Sequence, residues 1–216
     1  MEEKKYVIIL GTGSSRVVCP WDTEVWAVNN AYRQWTDKTP GKIFIFHKQD
    51  YWVSGDPIYS WEDMNLQLTK GCNEIISLWD NSPLKATPYP YNEIMTYFKT
   101  DYFSNSLSWM IAYAIWDGYD IIRLSGCDML EGGEYQLEKG GMEYWIGRAI
   151  GMGREVIIDQ PSSLLTTINH APYGMTDADT DVLAGRKVNV GVGLVNAKTM
   201  EVFAKEKAGS VKRKYF

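Results

Sequence analysis

Cysteine is scarce in this chain. The three present, Cys19, Cys72 and Cys127, lie far apart and form no Cys-x-x-Cys pair. That pattern argues against a disulfide scaffold and a structural zinc site, and for a reducing, cytoplasmic setting. Histidine occurs only at His47 and His170. No Cys/His cluster, His-Glu-x-x-His run or Gly-x-Ser-x-Gly elbow is present, so zinc hydrolysis and an acyl-transfer triad find no support. Long apolar runs are missing too. The longest, Met110 to Trp116, falls far short of the ~20 residues of a membrane span. The N-terminal run Tyr6–Leu10 is too short for a signal-peptide core of ~7–15 residues. An excess of positive charge is also lacking. The net charge is -5 and the pI about 5.1, which argues against a nucleic-acid partner.

What is present is ordinary globular composition, 45% hydrophobic and 23% charged over 216 residues. This fits one domain, since single cores stop growing only at roughly 250–300 residues. The abundant residues are aromatic, nine Trp and fourteen Tyr. They can stack bases or sugars, and they equally fill cores.

Short apolar runs recur at Tyr6–Leu10, Val25–Val28, Ile43–Phe46, Glu74–Leu78, Ile121–Leu124 and Val156–Ile158, each bounded by Gly, Pro, Asn or Asp. They are continuously apolar, as strands covered on both faces of a parallel sheet are. Helical spacing marks Trp61–Lys70 and, most clearly, Ser104–Asp117, with Ser104 or Ser106 as cap and Gly118 as stop. A third helix is expected over Glu143–Met152. The rhythm predicts a single α/β, Rossmann-like doubly wound domain with a mostly parallel sheet of about six strands. Residues 1–160 form its core and 161–216 a C-terminal extension packed on it. In the extension Val188–Val195 suggests an edge strand, Ala197–Lys207 a helix and Lys212–Phe216 a solvated basic tail. Asp177–Asp181 opens like a calcium loop, but Val182 and Val188 stand where its glycine and glutamate belong.

Ligands in such sheets sit at the carboxyl ends of the strands. There the first strand runs into Gly11-Thr12-Gly13-Ser14-Ser15-Arg16. Its glycines, amides and hydroxyls suit a phosphate, although a tight turn explains the same glycines. It is neither a dinucleotide fingerprint nor a Walker loop. Asn29 and Asn30 follow the second strand and offer amides to a base or ribose, or make an Asx turn. Ser104, Asn105 and Ser106 open the clearest helix and suit an anion or plain capping. Asp128 closes the fifth strand, where a carboxylate can hold Mg²⁺ or a ribose hydroxyl. His47 ends the third strand and is a candidate general base. His170 lies in a loop with no evident partner.

Three of these stretches, with their spacing, carry a resemblance. They are Ile8-Ile-Leu-Gly-Thr-Gly-Ser-Ser15, the Asn after the second strand, and Ser104-Asn-Ser leading through Ala112-Tyr-Ala to Gly118-Tyr-Asp-Ile-Ile-Arg-Leu-Ser-Gly-Cys-Asp128. Over about residues 6 to 160, judged by the run of strand and helix signals, the chain resembles the bacterial sialyltransferases related to the Campylobacter enzymes. It also resembles the domain named after archaeal 6-hydroxymethylpterin diphosphokinase, and certain phage and prophage proteins. The resemblance implies a nucleotide or nucleotide-sugar donor gripped by the first loop and the helix after Phe103, and a glycosyl or phosphoryl transferase. The pterin enzymes imply Mg²⁺ at Asp128. The sialyltransferases imply a histidine base after Gly-x-Asp, and here Met129 to Gln160 contains none. A protein that binds or sequesters a nucleotide without catalysis is the alternative, and a partner-binding protein on the same scaffold a third reading.

Overall fold

Tyr6–Leu10 forms β1, with every residue after Tyr6 buried. The same nearly unbroken burial recurs in β2 (Glu24–Val28), β3 (Lys42–Ile45), β4 (Glu74–Ser77) and β6 (Ile121–Ser125). Strands apolar on both faces need cover on both faces, which only a parallel sheet with helical crossovers supplies. The computed structural model describes residues 4–48, 60–81, 83–130, 133–166 and 213–215, and for 133–136 and 213–215 the backbone alone. The sheet order is β5-β4-β3-β2-β1-β6-β7-β8. Strands β1 to β7 are parallel, including β5 (Thr87–Pro88) and β7 (Glu155–Ile158). The expected Rossmann-like architecture is therefore present, with a slightly larger sheet than expected. The chain moves outward from β1 to β5, then returns to β6 on β1's other side, so the order reverses between β1 and β6.

The helices are α1 (Trp61–Thr69), α2 (Tyr91–Phe98), α3 (Ser106–Trp116) and α4 (Gly133–Gly151). Helix α3 packs on β1 and β3 and between α2 and α4. Its residues Leu107, Ser108 and Met110–Ile115 are all buried, so it is a core helix rather than an amphipathic one. A stack of rings closes its first turn. Phe103 lies 3.6 Å from Trp109 and 4.8 Å from Trp145, with interplanar angles of 6° and 17°. Aromatic density here fills the core, where each ring pair adds roughly 0.5–1.5 kcal/mol to its burial.

Several expectations change. Neither Ser104 nor Ser106 caps α3. Asn105 does, its Oδ1 accepting from the Ser108 amide at 2.8 Å. Helix α4 begins well before Glu143 and runs through Gly140 and Gly141, because Ser104 packs there: a Cβ on Gly141 would lie 1.9 Å from Ser104 Oγ. Strand β5 and helix α2 were not visible in the sequence, since Pro88 and Pro90 read as loop punctuation. The tail forms β8 (Arg213–Tyr215), antiparallel to β7, and not a solvated end. The edge strand, helix and calcium-like stretch expected between 177 and 207 lie outside the described residues. Among the described residues no helix is long and apolar enough to cross a membrane.

Candidate functional site

Helix α3 is joined to the start of β6 by four residues, so its amino end faces the carboxyl ends of the strands. Tyr89, just past β5, donates its hydroxyl to the Trp109 carbonyl at 2.9 Å, and Phe46, just past β3, stacks on Trp109. The loops after β1, β2, β3, β4 and β6 therefore share one edge with the start of α3. Gly11–Ser15, Asn29, Asn30, His47, Asn105, Ser106 and Asp128 are all brought to it.

At the reversal point the loops after β1 and β6 are stitched together. The Gly11 amide donates to the Ser125 carbonyl and the Gly13 amide to the Gly126 carbonyl, both at 2.8 Å. The backbones approach so closely that a Cβ on Gly11 would lie 2.2 Å from the Gly126 oxygen. Gly126 itself has φ +70° and would meet Gly11 at 2.5 Å. These glycines are explained by contact between two loops.

Asp128 completes the join. The sequence places it at an open mouth as a metal or ribose ligand, but in the structure it is buried, 5% exposed. Its Oδ2 accepts from Ser14 Oγ at 2.8 Å and from the Ser15 amide at 2.9 Å, and its Oδ1 accepts from Ser15 Oγ. The Ser15 hydroxyl in turn accepts from the Gly126 amide at 2.8 Å. Both carboxylate oxygens thus face donors of the first loop. Among the described residues no group of three or more His, Cys, Asp or Glu side chains could hold a metal ion. With both oxygens taken by these donors, Asp128 does not present the open carboxylate that Mg²⁺ would need. Of the first loop, Thr12 is left at the surface.

Beneath the join lies a buried ion pair that sequence reading missed. Arg123 on β6 bonds both oxygens of Asp159, which follows β7, at 2.8–3.1 Å. Arg123 is 4% exposed and Asp159 1%. Ser125 also donates to Asp159. Burial opposes the charge on Arg123, but bonds to Asp159 and Tyr6 hold its pKa above the ordinary value. Burial, with a smaller push from Asp159, outweighs the hydrogen bonds and the Arg123 charge and raises the nearby Cys19 thiol to about 11. A charged residue inside an apolar strand, three residues before a Gly at its end, was the available signal.

The exits of β2 and β3 differ. Asn29 has φ 50°, a region that a non-glycine residue enters at a cost and that Asn tolerates best. Its amide donates to the Phe44 carbonyl at 2.8 Å, while its Oδ1 is buried without a hydrogen-bond partner. Asn105 is in the complementary state. Its Oδ1 caps α3, and its Nδ2 is buried without a partner. Asn30 precedes a 3₁₀ turn at Ala31–Gln34 and makes no side-chain cap. Ser106 opens α3, half-buried. Ser104 turns away, donating to the Glu138 carbonyl of α4 at 2.8 Å. His47 is half-buried two residues beyond β3, and its carbonyl accepts from Asn81 at 3.1 Å. His170 lies outside the described residues. A cavity of about 510 Å³ opens at the opposite, amino edge of the sheet, lined by Trp21, Glu24, Lys38 and Asn73 among others. None of the predicted site residues lines it.

The chain matches no protein-family model and none of the curated proteins. Its fold is similar to that of monomeric CstII, at 17% identity with a TM-score of 0.50, covering 71% of this chain and 80% of that one. A structure of the sialyltransferase CstII from Campylobacter jejuni with the substrate analogue CMP-3FNeuAc aligns at 18% identity with a TM-score of 0.48, covering 72% and 81%. The monofunctional α-2,3-sialyltransferase Cst-I of the same organism aligns at 20% with a TM-score of 0.42, covering 61% and 58%. At these identities the likeness is one of fold.

Proposed function

We propose that the chain binds a nucleotide sugar at the carboxyl edge of its sheet and transfers the glycosyl group to a hydroxyl acceptor. The observation that carries this reading is the buried, unpaired Oδ1 of Asn29, held by left-handed backbone at the end of β2. A buried acceptor without a donor costs roughly 1–3 kcal/mol, a cost that a ligand's amino or hydroxyl group removes. Asn105 offers an unpaired donor at the start of α3. One acceptor and one donor on neighbouring elements suit the edge of a base or a ribose.

The reading assigns base or ribose contacts to Asn29 and Asn30. Phosphate is met by Thr12 and the exposed side of the first loop, and by the amino end of α3 at Ser106, where helix amides favour negative charge. The fold shared with CstII supports the placement, and other structures of that protein hold CMP and CMP-3FNeuAc. Asp128 acts on the ligand through the loop that it holds. The likeness to pterin diphosphokinases and to phage proteins rests on sequence alone, whereas the likeness to CstII is one of fold as well, which favours glycosyl transfer.

In the reaction the acceptor oxygen bonds to the anomeric carbon. The bond from that carbon to the phosphate oxygen breaks, and the nucleoside phosphate leaves with the electron pair. The acceptor's proton passes to His47, the histidine at this edge. Thermal shifts with CMP, UMP, AMP, GMP and their sugar conjugates test the reading. At least one should raise Tm, and Asn29→Gly, which suits the left-handed backbone, should diminish that rise without lowering the Tm of the free protein. Absence of any rise across the panel would overturn the reading. His47→Asn should keep the rise and slow transfer by about 10²–10⁴-fold.

A further inference from the structure

Trp79 is unusual among the tryptophans of the described residues in being both exposed and fixed. It lies two residues past β4, on the same edge as the candidate site, and is 43% exposed. Its indole N–H donates to the Phe46 carbonyl at 2.8 Å, and its backbone amide donates to Ser77 Oγ at 3.2 Å. The turn that carries it is tied down by Asn81, whose Nδ2 donates to the His47 carbonyl at 3.1 Å and to Ser77 Oγ at 3.0 Å. The polar edge of the ring is therefore spent on the protein, the Lys48 ammonium lies over one face, and the rest of the ring is exposed.

Leaving such ring surface exposed forfeits about 25 cal/mol for every Å² that burial would have covered. Fixing it by its own two hydrogen bonds, with the turn held by two more from Asn81, removes the freedom that would otherwise compensate. A rigid exposed ring is the form in which an aromatic side chain binds a partner with least loss of entropy. The groups around it narrow the partner's chemistry. Lys48 places its ammonium 4.5 Å from the ring centroid, a local positive charge on a chain of net charge -5. The Oδ1 of Asn81, two residues on, is buried without a partner, an acceptor waiting for a hydroxyl. Phe46, whose carbonyl anchors the ring, directly precedes His47.

We infer that Trp79 is the platform for the acceptor, and that the acceptor is a pyranose carrying a carboxylate. This rests on the glycosyl-transfer reading above and names the second substrate of the same site. The C–H face of the sugar lies on the indole, its carboxylate pairs with Lys48, and its free hydroxyl is directed to His47.

The test is ¹⁹F NMR of protein labelled with 5-fluorotryptophan, in which the resonance missing from Trp79→Phe belongs to Trp79. The probes are methyl β-D-glucuronoside and methyl β-D-glucoside, with CMP titrated separately. The glucuronoside should move the Trp79 resonance saturably, and bind about two- to fivefold more tightly than the glucoside, the worth of a partly exposed ion pair. Lys48→Gln should equalise the two sugars. Trp79→Ala, followed through the other resonances, should weaken the glucuronoside about tenfold, as loss of a ring contact does. A Trp79 resonance unmoved by either sugar overturns the inference, as does sugar binding that survives Trp79→Ala unchanged. CMP should bind Trp79→Ala as it binds the unaltered chain. CMP binding without sugar binding sinks the acceptor inference alone. Sugar binding without nucleotide binding leaves the platform standing and sinks the donor reading.

Discussion

The two sides of the carboxyl edge are built differently. Between β1 and β6 the polar groups answer one another: two glycine amides meet two carbonyls, two serines meet Asp128, and Arg123 meets Asp159. Around the exits of β2 and β4 and the start of α3, polar atoms of Asn29, Asn81 and Asn105 are buried and unmet, and Trp79 is held out to solvent. Buried polar groups in folded proteins are nearly always paired. On the proposed reading the first side is scaffold, and the second is where an outside molecule would complete the bonding. Substitutions on the first side should cost stability, and substitutions on the second should cost binding.

The largest effect is expected beneath the join. Arg123→Met leaves Asp159 buried without its counter-charge and should lower unfolding stability by about 3–5 kcal/mol, read from urea unfolding. The double variant Arg123→Met, Asp159→Leu should recover much of this, since an apolar pair of similar size replaces a buried ion pair at little net cost. A single variant as stable as the parent would break the comparison at its base.

Next comes Asp128→Asn. The amide keeps one acceptor oxygen and puts an NH₂ donor in place of the other, so at least one loop donor loses its partner, at roughly 1–3 kcal/mol. The loss should appear in Tm and be the same with and without Mg²⁺. Undiminished stability together with a Mg²⁺-dependent loss of transfer would instead make Asp128 a metal ligand.

Asn29→Gly sharpens the comparison from the other side. The unpaired oxygen disappears with the side chain, and glycine adopts the left-handed backbone without strain. Stability should change within about 0.5 kcal/mol, while nucleotide affinity drops about tenfold, the worth of one buried hydrogen bond. Isothermal titration beside urea unfolding separates the two.

The smallest effect lies at the amino half of the sheet. Burial raises the pKa of Glu74, but bonds from Lys42 and Thr87 outweigh it and hold the net value below the ordinary one. A depressed carboxylate pKa gives stability that is present above the unfolded value and is lost as pH falls through the folded one. Lys42→Met should therefore reduce stability at neutral pH by about 0.2–1 kcal/mol, as partly exposed pairs do. The difference from the parent should vanish in acid, below the folded pKa of Glu74.

The fold was legible because its signals are local. Six of the strands are short Val- and Ile-rich runs, and Leu107 to Ile115 repeat at helical spacing. Continuous apolarity specifies burial on both faces whatever the neighbours are. Strand β5 and helix α2 were hidden because proline signals breaks locally, while Thr87–Pro88 and Tyr91–Phe98 are held by partners distant in sequence: β4, and the core around Phe98 and Trp145. The site was legible as a set of positions, since every predicted residue except the undescribed His170 lies at or beside the carboxyl edge.

What each residue does there could not be read from the chain. Gly-x-Gly-x-Ser and Gly-x-Asp look the same whether they meet a phosphate or each other. The sequence by itself determined the strands, the order in which they alternate with helices, and hence the edge at which loops collect. Tertiary structure decided that the loops after β1 and β6 lie within hydrogen-bonding distance, that Asp128 faces serines, that Asn29 keeps an unmet oxygen, and that Trp79 is held out to solvent. Strand and helix formation follows from periodicity over a few residues. The pairing of polar groups depends on distances between segments more than a hundred residues apart, such as Ser15 and Asp128, which no local pattern encodes.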